Sequence, residues 1–199
     1  MTKPLLVLLA WMVGIGAWAQ NDPASLSVGY FAPYGIQLGG KLGASFQVGQ
    51  WPQENEATAE RIHKLKIQPQ VGYFTYPQVQ HNFVLNCEAV YLRTRPGRRF
   101  TPLASVGLGY WMARQRQGGS VNLGSGEITY DVENLHYITP TLNIGFEIAP
   151  KKVIGYYLKG FAGRKIGLGE PSAGLFGLEA GLTFQLTKKD DTNDTGRVH

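Results

Sequence analysis

The strongest constraint on this chain is a two-residue alternation sustained over unusually long segments. In "IQLGGKLGASFQVG" (36–49), Ile36, Leu38, Leu42, Ala44, Phe46 and Val48 stand at even positions. Gln37, Lys41, Ser45 and Gln47 stand at odd ones, with Gly39, Gly43 and Gly49 beside them. A period of two describes a strand with two unlike faces. The pattern is equally strict in "ITPTLNIGFEI" (138–148) and "FGLEAGLTFQL" (176–186), and recurs over 25–32, 64–75, 81–92, 103–113 and 153–163. In 81–92 it is looser, because Val84 and Val90 share the polar side.

Eight candidate strands result, most of them about 10–13 residues long, whereas strands of soluble proteins centre on about five or six. A tilted strand crossing a bilayer needs about 9–11. Pro69 and Pro140 fall inside two segments and predict a bulge or bend there. Two connections are long and polar. Residues 50–63, "QWPQENEATAERIH", read as a short helix or charged loop, and 114–135 read as a hairpin standing above a barrel. Charged residues make up only 17 %, below the usual quarter, while glycine reaches 26 of 199 and aromatics 12 %. That balance suits a glycine-rich all-β protein rather than a helical enzyme.

The N-terminus carries Lys3, the apolar run "LLVLLAWMVGIG" and the small-x-small site Ala17-Trp18-Ala19. This predicts a secretory signal over 1–19, cleaved before Gln20, since the run is shorter than the ~20 residues of a membrane helix. Residues 20–187 then form one barrel domain and 188–199 a disordered polar tail. The formal charge of +5 suits anionic lipid head groups, and export argues against nucleic acid. Cys87 is the single cysteine, so no intramolecular disulfide forms. A buried thiol packed as a small hydrophobe is expected.

A closed eight-stranded barrel can be built with either face outward. The polar face here is poor in charge and rich in Gly, Ser, Thr, Asn and Gln, as a narrow lumen requires. Its charges balance: Lys41, Lys66 and Lys159 against Glu88, Glu147 and Glu179. Inside a lumen just wide enough for side chains, such groups persist when paired. Tyr30, Tyr73, Tyr91, Tyr110 and Phe184 fall toward segment ends, where interfacial girdles lie. The reading is therefore an all-β, closed, antiparallel up-and-down membrane barrel of eight strands, apolar face to lipid.

The signal ending "AWAQ", the segments "GYFAPYGIQLGGKLGASF" and "LHYITPTLNIGFEI", and the strand "GLEAGLTFQL" together resemble the small outer-membrane β-barrel proteins of Gram-negative bacteria. The resemblance covers residues 24–187. It implies an outer-membrane location, contact with membrane lipid and lipopolysaccharide, and insertion by the barrel-assembly machinery, but no particular substrate.

Catalytic chemistry leaves little trace. His63, His81, His136 and His199 lie at segment edges, in loops or in the tail. His136, near Tyr137 and Thr139, is the one candidate for a hydrolase at the rim, and a solvated strand-end histidine is the plainer reading. No Gly-x-Ser-x-Gly, His-Glu-x-x-His or Cys-x-x-Cys spacing occurs, so no enzyme, cofactor or metal is expected. "RTRPGRR" gathers Arg93, Arg95, Arg98 and Arg99, a candidate contact for anionic lipid or lipopolysaccharide phosphates. A solvated turn is the competing reading. Counting back from a last strand that ends in the periplasm, 114–135 is extracellular, while "APKK" (149–152) and 50–63 are periplasmic. The expected role is a filled, non-conducting barrel acting through surface loops in adhesion, partner binding or envelope maintenance. The alternatives are a soluble periplasmic lipocalin-like barrel for an apolar ligand and a lipid-modifying barrel enzyme.

Overall fold

The computed structural model describes residues 24–35, 37–55, 58–76, 79–95, 97–121, 128–148, 153–169 and 171–186. The expected signal (1–19) and polar tail (188–199) lie outside the described residues. Eight strands follow one another: β1 (Ala24–Pro33), β2 (Leu38–Asn55), β3 (Thr58–Tyr76), β4 (Gln80–Thr94), β5 (Phe100–Val121), β6 (Ile128–Ile148), β7 (Ile154–Gly167) and β8 (Ala173–Leu186). Each pairs antiparallel with its chain neighbour. The β1–β8 seam closes the barrel over ten register pairs, from Ala24↔Leu186 to Pro33↔Gly177. Closure satisfies the backbone of both terminal strands, and no edge remains to pair with another chain. Among the described residues no helix is long and apolar enough to cross a membrane, so any crossing is made by strands.

The alternation decides what faces where. Leu26, Val28, Leu42, Val71, Val106, Leu108, Leu142, Ile144, Phe176 and Leu178 are all exposed on the outer wall, Ile144 at 68 %. Lys41, Glu88, Lys159 and Glu179, each one position from such a residue, are 5 % exposed or less. That is the inverse of a barrel wrapped around an apolar ligand in water.

Three expectations change. Residues 50–55 and 58–63 form neither helix nor loop, because β2 and β3 continue their ladder through Gln50↔Lys64, Trp51↔His63, Pro52↔Ile62 and Gln53↔Arg61, with β4 still paired to β3 as far as Ile62↔Thr94. Ladder hydrogen bonds and the stacking of Trp51 on His63, 5.9 Å between centroids, stabilise this stretch. Second, Pro69 and Pro140 produce no register shift, since the ladders resume in the same register beyond each. The irregularities lie at Gln47/Gly49, Gln53/Asn55 and Gln117/Ser120 instead. A proline removes one donor from one ladder, and the neighbouring bonds keep the register. Third, Cys87 is exposed, not buried. It shares the outward parity of Phe83 and Tyr91, so the apolar face it belongs to is the outside. The 114–135 segment does extend as a hairpin, with β5 and β6 paired as far as Val121↔Ile128.

The turns after β1, β3, β5 and β7 lie at one end of the barrel, called here the hairpin end. Those after β2, β4 and β6 lie at the other, with the outer ends of β1 and β8, called here the terminal end.

Candidate functional site in the barrel lumen

Lys41 of β2, Glu88 of β4, Lys159 of β7 and Glu179 of β8 converge at mid-barrel because all four have inward parity. Lys41 Nζ donates to Glu179 Oε2 at 2.5 Å and lies 3.5 Å from Glu88 Oε1. Lys159 Nζ lies 3.0 Å from Glu88 Oε2 and 3.2 Å from Glu179 Oε1. Each ammonium thus meets both carboxylates, and the four charges form an alternating, neutral ring. Buried ions tolerate desolvation only when their remaining hydrogen-bonding capacity is used. Here Tyr157 Oη donates to Glu179 Oε1 at 2.9 Å. Asn86 Nδ2 and Ser105 Oγ donate to Glu88 at 3.0 and 3.1 Å. Asn143 Nδ2 then donates to Ser105 Oγ at 2.7 Å. Lys41 also sits 4.6 Å from the centre of the Phe31 ring, a favourable cation–π distance.

Lys66 and Glu147, the other two residues of the expected lumen set, are not part of this ring. They form a separate, half-buried pair at 3.4 Å, nearer the terminal end. Glycines make room for the bulky partners. A Cβ on Gly181 would stand 2.6 Å from Gly29 Cα and 2.8 Å from Tyr157 Oη, so Tyr157 fits because Gly29 and Gly181 face each other across the seam.

Apolar plugs lie on both sides of the ring, and Val84 and Val90, the misfits of the β4 alternation, belong to them. Phe31, Phe74, Val84, Trp111, Ala113, Leu135, Phe161 and Leu175 pack together toward the hairpin end. Val90, Leu92 and Leu103 do so toward the terminal end. Above the first plug, Lys165 lies 3.7 Å over Trp111, with Tyr34 and Tyr137 at 5.3 and 5.8 Å. The only lumen signal for these groups in the sequence is a large aromatic on an otherwise small, polar face. The remaining lumen space includes two cavities of about 20 Å³. Each is the size of one water molecule and far below the ~300 Å³ at which ligand pockets begin.

The four arginines group at the terminal end. Arg93, next to last in β4, lies opposite His63. Arg95, Arg98 and Arg99 lie in the turn that follows, closed by Arg98 N–H donating to Arg95 O at 3.1 Å. Arg93, Arg98 and Arg99 are exposed, and no carboxylate among the described residues pairs with any of the four.

Three histidines bond tyrosines. His136 Nδ1 meets Tyr110 Oη at 2.6 Å and His81 Nδ1 meets Tyr73 Oη at 2.7 Å, while His63 Nδ1 bonds Tyr91 Oη. These are outward-facing girdle positions. Among the described residues no His/Cys/Asp/Glu group could hold a metal.

No protein-family model matches the sequence, and no curated protein does. Among solved structures, the N-terminal β-barrel domain of Pseudomonas aeruginosa OprF aligns with a TM-score of 0.45 at 15 % identity, over 82 % of this chain and 97 % of that one. The outer membrane enzyme PagL aligns with a TM-score of 0.47 at 17 % identity, over 82 % and 99 %. The chain's own strand order, closing register and inverted faces make it an eight-stranded, closed, antiparallel up-and-down β-barrel of the membrane type.

Proposed function

We propose that the protein is an integral outer-membrane barrel with a sealed lumen, acting at the envelope surface through the hairpins that project from its two ends. The observation that carries this reading is the pairing of an apolar outer wall with a neutral, fully engaged ion ring inside. In water the wall would expose a continuous apolar patch far beyond what a soluble monomer tolerates. In lipid it is the required surface. The ring and the two plugs occupy the lumen, which supports a barrel that serves as anchor and scaffold.

Binding then falls to the projections. The β5–β6 hairpin stands at the end that the sequence count makes extracellular. The β2–β3 ribbon and the arginine turn stand at the periplasmic end, beside the outer ends of β1 and β8. Arg93, Arg95, Arg98 and Arg99 there suit phosphate head groups or an acidic partner through planar, bidentate contacts. Adhesion, partner binding and envelope maintenance are all compatible with such a scaffold.

The test is fractionation of cells expressing the full chain, combined with gel mobility before and after heating and with conductance in planar bilayers. Recovery in the outer-membrane fraction, a heat-dependent mobility shift and no discrete conductance steps are expected. Recovery in the soluble fraction would overturn the membrane reading, and reproducible channel steps would overturn the sealed lumen.

A further inference from the structure

One part of the outer wall is a groove rather than a ridge. On β7 the outward positions Gly160 and Ala162 are small, while their ladder partners are large: Ile144 and Leu142 on β6, Leu178 and Phe176 on β8. The resulting apolar groove has a volume of about 520 Å³. Its walls are exposed, and Tyr34 of the β1–β2 turn packs edge-on against Phe176 at 5.2 Å. The next outward position of β7, about 7 Å further along the strand, is Arg164. It is exposed, and among the described residues no carboxylate pairs with it. Its ladder partner is Gly174, whose carbonyl accepts the Tyr34 hydroxyl at 2.7 Å. The arginine therefore stands at the hairpin end of the groove, with exposed Ile166 and Leu168 beyond it toward the turn.

We infer that this groove seats one acyl chain of an anionic, phosphate-bearing lipid whose phosphate is held by Arg164. The inference rests on the membrane reading above and adds a specific lipid site to it. A linear slot between two apolar ridges matches an extended hydrocarbon chain in shape. A guanidinium at its polar end complements a phosphate in charge and geometry. Arginine is costly on a lipid-facing wall unless its head reaches the interface, and an anionic head group there offsets that cost directly. A neutral zwitterionic lipid would fill the slot equally well but gain less at Arg164.

Gly160 makes the site testable without disturbing the fold. A Cβ there would meet only Leu178 Cδ2 at 3.9 Å and Ile144 O at 4.0 Å, so Gly160→Leu fills the groove from outside while the lumen stays intact. The full chain is reconstituted into nanodiscs of phosphatidylcholine with a minor fraction of phosphatidylglycerol. Retained lipid is read by native mass spectrometry, and heat-dependent gel mobility reports the folded barrel. The wild type should keep one phosphatidylglycerol in preference to phosphatidylcholine. Gly160→Leu should lower that retention several-fold, and Arg164→Gln should abolish the preference for the anionic lipid. Equal retention by all three folded proteins, or no preference in the wild type, would overturn the lipid site and leave the barrel reading standing. Failure of the wild type to insert would overturn both.

Discussion

Removing one carboxylate from the lumen ring should cost far more than removing a carboxylate–ammonium pair. Glu179→Gln keeps the shape of the side chain and can still accept the Tyr157 hydroxyl, now 2.9 Å from Glu179 Oε1. It leaves Lys41 and Lys159, both 5 % exposed or less, sharing Glu88 alone at 3.5 and 3.0 Å. A buried charge left without its partner typically costs about 3–5 kcal/mol, a large share of the roughly 5–15 kcal/mol that holds a domain folded. The double variant Lys41→Met/Glu179→Gln restores neutrality, with Lys159 on Glu88 at 3.0 Å. It should recover about 2 kcal/mol or more, within the range of coupling between groups in contact. The assay is urea unfolding in phosphatidylcholine vesicles, with stability compared between single and double variants. Trp111, 1 % exposed inside the lumen, is a native fluorophore for it. A Glu179→Gln protein within about 0.5 kcal/mol of wild type, as an ordinary surface change would be, would refute the reasoning. So would a double variant no more stable than the single one.

Three other changes probe different surfaces. Leu42→Arg places a charge on the outer wall and should cost about 2–4 kcal/mol in a bilayer; a change within about 0.5 kcal/mol would mark that wall as water-exposed. Gly181→Ala drives a Cβ to 2.6 Å from Gly29 Cα and should cost about 1–3 kcal/mol by overpacking, while Gly174→Ala, with nothing within 4 Å, should be near neutral by the same urea assay. Cys87, exposed on the apolar face, should resist a membrane-impermeant maleimide in vesicles and react in the urea-unfolded chain, because its reactive form is a hydrated thiolate. Rapid labelling in intact vesicles would contradict a lipid-facing position.

Much of this architecture was legible because a strand reports its two faces at every second residue. The alternation in 36–49, 138–148 and 176–186 distinguishes wall from lumen residue by residue, and Lys41, Glu88, Lys159 and Glu179 follow from parity alone. Parity fails where polarity and side are decoupled. Val84 and Val90 look like noise in β4 until Phe74, Trp111 and Leu103 from other strands surround them. The 50–63 segment looks like a loop because its pattern carries no strand signal.

What the sequence determined by itself is the strand count, the two faces and the balance of charge between them, all local properties of period and composition. Tertiary structure alone decided that Lys66 and Glu147 pair apart from the ring. It also decided that Tyr157 completes Glu179 and that Arg164 stands at the end of a groove. Those depend on the register between strands. Register fixes how far each side chain lies along the barrel axis, and parity does not encode that height. Barrel closure is what sets it, by bringing β1 against β8 and fixing all eight strands relative to one another.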